Sequence, residues 1–401
     1  MTFRLIVLLM ALTLLSCQGP VDPGIELVEA NGSMIPKINV EQIEKEKIIL
    51  FTDWFENIRL VELEASENSL IERVLNAYVG EEHIIVCTMR SGVLQFTIEG
   101  KFVKTLAKRG KGPGEISDFN TRIFVDEPAN KVYISLGYIQ GEKVLCVDIS
   151  SGKHEYLNYA NTGSEPMRDC PVVKDNLMYC ANITFTGQSS AHPVFCQTTS
   201  GELIWEIEKN GPKNSPNART HLVDDQLFFQ YTRGDTLFKI QDDKLLPHLI
   251  ISSTETRANF PKVHENEVDY GIKPLIPNWY LGYFIYINKV DWEQQREGFP
   301  KIEYSKRTRF LYNQKKHEVF RIGESIVNDY LGSTTQFDLN IQTNGIAFAR
   351  YQALDLYEYA DSAKQSPGLD SKVKEVLNNI LNRIEVDGNP YLLIGTIKKG
   401  I

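Results

Sequence analysis

The decapeptide AKRGKGPGEI, Ala107 to Ile116, gathers three glycines, a proline and three basic residues, a composition suited to holding a phosphate. A phosphate loop needs G-x-x-x-x-G-K-[ST] between a strand and a helix, so that backbone amides and the lysine cradle the phosphate while the hydroxyl meets Mg2+. Here no Ser or Thr follows a lysine, and β-rich sequence lies on both sides. The box therefore reads as a structural signature. Gly110, Gly112 and Gly114 permit left-handed turns, Pro113 stiffens the path, and the Glu115 carboxylate suits turn amides. A second set is Arg122 in NTRIFV, Arg168 in PMRDCP and Arg219 in ARTHLV, with His221 two residues further on. Planar guanidinium groups converging on one mouth would bind a carboxylate, a sulfate or a sugar acid. Their competing use is local pairing with Glu165, Asp169, Asp118 or Asp224.

The elements that would position these residues are strands. Between residues 57 and 350 helical periodicity is almost absent, and short β-rich runs are punctuated by Gly, Asn and Asp. One run recurs: HIIVCTM from His83, KVYISLG from Lys131, NLMYCAN from Asn176, QLFFQYT from Gln226, YFIYINK from Tyr283 and GIAFARY from Gly345. The start-to-start steps of 48, 45, 50, 57 and 62 residues fit a four-stranded propeller blade with its loops. Each is followed by a third-strand run (VLQFTI, KVLCVDI, HPVFCQT, DTLFKI, RFLYN, YLLIGTI), and in five cases by a fourth after a tight turn. The turns IEGK, SSGK and TSGE carry glycine where a hairpin needs positive φ. The sixth unit reaches Ile401 without a fourth strand, and IRLVELE, Ile58 to Glu64, is left over ahead of the first. Lending that strand to the last blade closes the ring. The expected fold is an all-β, six-bladed β-propeller closed by an N-terminal strand, with a helical insertion near the C-terminus over about 370–384. That helix is capped by Asp370 or Ser371 and puts Val373, Val376, Leu377, Ile380, Leu381 and Ile384 on one face.

In this frame AKRGKGPGEI becomes the crossing from the outermost strand of blade one to the innermost strand of blade two, and the three arginines fall at the starts of channel-lining strands. Asp118, Asn120 and Asn217 are the side chains that a channel divalent metal would draft, but no fixed spacing separates them from turn residues. The seven histidines form no close pair with metal spacing. The sequence indicates no cofactor and no catalytic set.

The first residues, MTFRLIVLLMALTLLSC, place Arg4 ahead of an apolar run from Leu5 to Leu15, too short to span a bilayer and shaped like an export signal. The ending Leu14-Leu15-Ser16-Cys17 resembles a bacterial lipobox, which implies lipidation at Cys17. Residues 1–16 then form the signal peptide, 17–50 a lipidated tether and lead-in, and 51–401 the propeller. Removal of Arg4 takes the formal net charge from −9 to −10, an acidic balance that argues against nucleic acid as a partner. Five cysteines remain, an odd number for an oxidising compartment. Cys170 and Cys180, placed symmetrically about Lys174-Asp175-Asn176, are the candidate disulfide.

The stretches IRLVELEASENSLIERVLNAYVGEEHIIV, VLQFTIEGKFVKTLAKRGKGPGE, GDTLFKI and NPYLLIGTIK resemble the six-bladed β-propeller lipoproteins of Gram-negative bacteria, relatives of NHL-repeat propellers, over roughly residues 50 to 401. The segment from Thr254 to Phe299 departs from the pattern, being longer than a plain blade junction. The resemblance implies an exported, membrane-anchored protein, expected in the outer membrane on its periplasmic or surface face. The expected role is noncatalytic: a propeller face that binds an envelope protein or an anionic or glycan ligand, in nutrient capture or surface assembly. The alternative is a lactonase-like hydrolase or lyase with a channel metal.

Overall fold

The computed structural model describes residues 22–117, 121–136, 143–160, 170–181, 194–207, 218–231, 234–241, 243–255, 265–296, 299–305, 307–323, 326–333, 339–342 and 344–401. Six sheets form the ring of a six-bladed β-propeller, each built on a four-stranded antiparallel meander. From inside outward, blade one is Val74–Val79, His83–Thr88, Val93–Thr97 and Phe102–Ala107. Blade two runs from Ile123–Asp126 to His154–Asn158, blade three from Val172–Lys174 to Leu203–Ile207, and blade four from Ala218–Val223 to Lys244–Ser252. Blade five begins with Val268–Ile276 and ends with Glu318–Ile322. Blade six joins Leu339–Ile341, Ile346–Tyr351 and Tyr391–Ile397 to the N-terminal strand Phe55–Glu62. In that closing pair Val61 faces Leu392 and Leu60 faces Leu393, so the ring closes as the two loose ends of the sequence require.

Burial explains why the second strands stand out as apolar runs. A strand in mid-blade is covered on both faces by neighbouring blades, so it carries continuous hydrophobic sequence instead of alternation. His83–Thr88 is buried at every position after the first, whereas the outer strand Phe102–Ala107 is buried only at Leu106 and Ala107. Among the described residues six main apolar clusters lie one between each pair of adjacent blades, with a small seventh around Ile287. The hairpin glycines Gly100, Gly152 and Gly201 adopt φ of 88°, 71° and 93°, the left-handed conformation that matches strand twist.

Ring closure is clasped by Asn389. Its buried Oδ1 accepts from Ile71 N at 2.7 Å, and its Nδ2 donates to Ser69 O at 2.7 Å and Glu64 O at 2.9 Å. One side chain thereby fixes the link between the closing strand and blade one.

Three features differ from expectation. The lead-in is not a tether over its whole length. Ile25–Ala30 and Ser33–Asn39 form a hairpin that adds two strands to the rim of blade four, with Lys37 to Asn39 parallel to Ile250 to Ser252. Glu46–Lys47 pairs with Arg321 and Ile322 on the rim of blade five. Second, the insertion in blade six is a helix pair, Ala353–Lys364 and Ser371–Arg383, the second capped by Asp370 through Lys372 N at 2.8 Å. The pair buries Ala353, Leu356, Ala360, Leu377 and Ile380 in the cluster between blades five and six, where Trp54 meets Trp279 edge-on. Third, Cys170 and Cys180 are not bridged, and both are thiols. The register pairs Val172 with Tyr179, so continuing it sets Cys170 opposite Ala181. That one-residue offset turns the two sulfurs to opposite faces. The irregular stretch after Thr254 contains the strand Trp279–Arg296, which outruns its blade and pairs beyond it with Phe299–Tyr304.

Candidate functional site

The glycine box holds its own anion. Gly112 N donates to Glu115 Oε2 at 2.8 Å, Glu115 N donates to Gly112 O, and Gly110 N and Ile116 N bond across the base of the loop. Gly114, at φ +73°, donates to Tyr156 Oη and leaves no room for a Cβ, which would stand 2.6 Å from the His154 ring. Pro113 is exposed. Arg109 turns inward, donating to Thr88 O at 2.6 Å, while Lys108 and Lys111 stay exposed. The carboxylate that a ligand would supply is already present in the chain.

A different set converges beside the channel. Arg219 and His221 lie two apart on the inner strand of blade four and therefore share a face. Val223, next in that row, lies in one apolar cluster with Val268, Tyr270 and Ile272 of blade five, so this face looks toward blade five. From blade five come Lys273 on the inner strand, Tyr283 opposite Gly271 on the second, and Arg309 opposite Tyr283 on the third. Together with Arg307, Gln230, Asn340 and a floor that includes Ile272 and Leu281, they line a cavity of about 380 Å³. Four fixed cations surround it, and no Asp or Glu is found among the described residues of its lining. The Arg307 guanidinium lies over the Tyr283 ring, 4.9 Å from its centroid. Gly271 admits that ring, since a Cβ there would meet it at 3.0 Å. Stacking of this kind fixes the guanidinium plane and leaves its edge available to a planar acid.

His221 is electrostatically set against protonation. Burial, then Lys273, then Arg219 pull its pKa down to about 3. Its Nε2 is buried with no hydrogen-bond partner. A neutral imidazole beside four cations presents a hydrogen-bonding group where every other charged neighbour only donates.

Of the residues expected from sequence, Arg219 and His221 meet here. Arg122, directly ahead of the inner strand of blade two, is half-buried and does not line the cavity; its carbonyl accepts from Ser135 N. Arg168 and Cys17 lie outside the described residues, as do Asp118, Asn120 and Asn217. Among the described residues no three His, Cys, Asp or Glu side chains gather as a metal set. Lys273, Arg307 and Arg309 escaped sequence reasoning, although KRTRFLYN carries a usable signal: two arginines two positions apart, just before and within the start of a strand, share a face.

A second cleft between blades four and five, of about 370 Å³, is lined by His248, Tyr280, Gln314 and neighbours. Tyr280 donates to Gln314 Oε1 at 2.9 Å, which leaves His248 Nε2 to donate to Tyr280 at 2.6 Å. Burial, followed by Lys239, lowers the His248 pKa to about 4, and burial raises that of Tyr280. These groups satisfy one another, unlike the cationic set.

Known proteins bear on the fold. A solved structure of a Bacteroides fragilis protein, provisionally named as exported, is similar over 88% of this chain and 98% of its own, at 15% identity and a TM-score of 0.62. The extracellular domain of a hybrid two-component system from B. thetaiotaomicron covers 74% of this chain and 42% of its own length at 7% identity, with a TM-score of 0.42, too slight to carry an argument. No curated protein matches the sequence. Residues 35–396 match the model of one family, and the chain belongs to it: the family described as domain of unknown function DUF4934.

Proposed function

We propose that this is an exported envelope protein, lipidated at Cys17 and held in the outer membrane, whose propeller binds an anionic ligand of the sugar-acid class without transforming it. The observation that carries the binding role is the cavity formed by blades four, five and six, where Arg219, Lys273, Arg307 and Arg309 surround the unpartnered His221 nitrogen. Guanidinium groups favour a planar carboxylate, and the imidazole suits a hydroxyl beside it, a combination found in uronic acids. The volume lies at the small end of the roughly 300–1,000 Å³ typical of small-molecule sites, which suits one or two sugar rings. Export is supported by the apolar run ending at Ser16-Cys17 and by the provisional name of the B. fragilis protein.

Calorimetric titration with galacturonate and its dimer, against galactose, tests the reading. Binding of the acids alone is expected, weakening as salt rises, and falling at least tenfold in the Arg219→Gln/Lys273→Gln double variant. Equal binding of acid and neutral sugar, or no binding of either, would refute it. Conversion of the probe in the same samples would favour the lyase or lactonase alternative.

A further inference from the structure

We infer that the rim of blades four and five, formed by the hairpin Ile25–Asn39 and the strand Glu46–Lys47 with Ile48, is the surface that rests against the lipid bilayer. This rests on the lipidation of Cys17 proposed above. The described residues begin at Asp22, which is pinned to that rim. Its carbonyl accepts from Ile25 N, its Oδ1 accepts from Gly24 N at 3.1 Å, and its Oδ2 pairs with Lys45 at 2.8 Å. Only five residue steps separate Cys17 from Asp22. Fully extended they reach about 17 Å, whereas a headgroup layer is itself roughly 5–7 Å thick. The rim therefore stays within about 10–12 Å of the headgroups even at full stretch.

The rim has the chemistry for contact. Ile48 is 73% exposed, Met34 60% and Leu27 36%. In the hairpin register Leu27 lies opposite Pro36 and Met34 opposite Glu29, which puts the exposed Leu27, Met34 and Glu29 on one face with the buried Pro36. Charges of both signs are interspersed, and Lys37 pairs with Glu26 at 3.0 Å, so contact is apolar and does not depend on anionic lipid. Exposed apolar side chains also occur at Val103 on blade one and at Leu203 and Ile204 on blade three. Tether length, not apolarity alone, selects this rim. The disc then stands on edge, its channel axis lies along the membrane plane, and the cationic cavity opens sideways.

The test uses the full lipidated protein in phosphatidylcholine vesicles containing a doxyl-labelled lipid. A fluorophore is attached at Met34→Cys, Ile48→Cys, Val103→Cys or Leu203→Cys, each with Cys170→Ser to remove the partly accessible native thiol. Quenching at 34 and 48 is expected to be at least threefold that at 103 and 203. Inserting twenty Gly and Ser residues between Gln18 and Gly19 should abolish the contrast while the protein still floats with the vesicles. Flotation with equal quenching at all four sites would overturn the rim assignment and leave lipidation standing. An unacylated N-terminal peptide by mass spectrometry, with Cys17→Ser floating like the parent, would overturn the anchor and the rim assignment together.

Discussion

Replacing Asn389 by alanine tests whether closure of the ring depends on one amide. The substitution orphans the Ile71 N–H and the Ser69 carbonyl, both in buried bonds, while the Glu64 carbonyl keeps the Ser69 Oγ donor at 2.7 Å. An unsatisfied buried group costs about 1–3 kcal/mol, so the two put the expected loss at about 2–6 kcal/mol. A typical point substitution costs about 1 kcal/mol. Asn389→Asp separates the contributions, because the carboxylate keeps the acceptor and loses both donors. It should be at least as damaging near neutrality and recover partly when acid returns a proton to it. Urea unfolding followed by tryptophan fluorescence measures the loss, and protease sensitivity of residues 63–73 under native conditions locates it. If Asn389→Ala unfolds within 1 kcal/mol of the parent and the segment is cut no faster, the clasp argument is wrong.

At Gly282 an added Cβ would lie 2.1 Å from Cζ of the fully buried Phe310; Gly282→Ala should cost about 1–3 kcal/mol by overpacking. Phe310→Leu in the same chain should recover part of that loss, and strictly additive losses in thermal unfolding would count against the contact. His221 and His248 have folded pKa values of about 3 and about 4, below the ordinary value near 6.5. The unfolded chain therefore binds more protons between those limits, so stability is full above pH about 6.5 and declines as pH falls toward 3. Its slope is at most about 1.4 kcal/mol per pH unit per histidine. His221→Gln and His248→Gln should each flatten the urea midpoint measured from pH 7 to 4. Thiol titration in denaturant without reductant should count all five cysteines beyond Cys17, whereas a Cys170–Cys180 bridge would leave three.

Blade count and blade boundaries were legible because mid-blade strands are buried on both faces and so carry unbroken apolar runs. The rim hairpin was not read, although Asn31-Gly32, at φ 52° and 77°, is a strong short-range hairpin signal; the charged residues around it and Pro36 resemble linker. The helix Ala353–Lys364 escaped because two of the three residues it buries, Ala353 and Ala360, are alanines, and Leu356 alone traces no apolar stripe. At the cavity Arg219 and His221 were visible as a period-two pair. Lys273, Arg307 and Arg309 were not, since their approach to blade four depends on how two blades are set side by side, which no spacing within either blade encodes.

Closing the ring with a strand from the start of the chain also sets an order of events. Ile71 and Asn389, joined by the clasp, are 318 positions apart, among the most distant contacts the chain makes, and such pairings form slowly because loop closure precedes any gain. Blades one to five can assemble as the polypeptide emerges, but Phe55–Glu62 waits until Tyr391–Ile397 has been made. During that interval blade six is an open edge. Its waiting strand carries Glu56, Arg59 and Glu62 along its length, charges that discourage pairing with another copy before the native partner arrives.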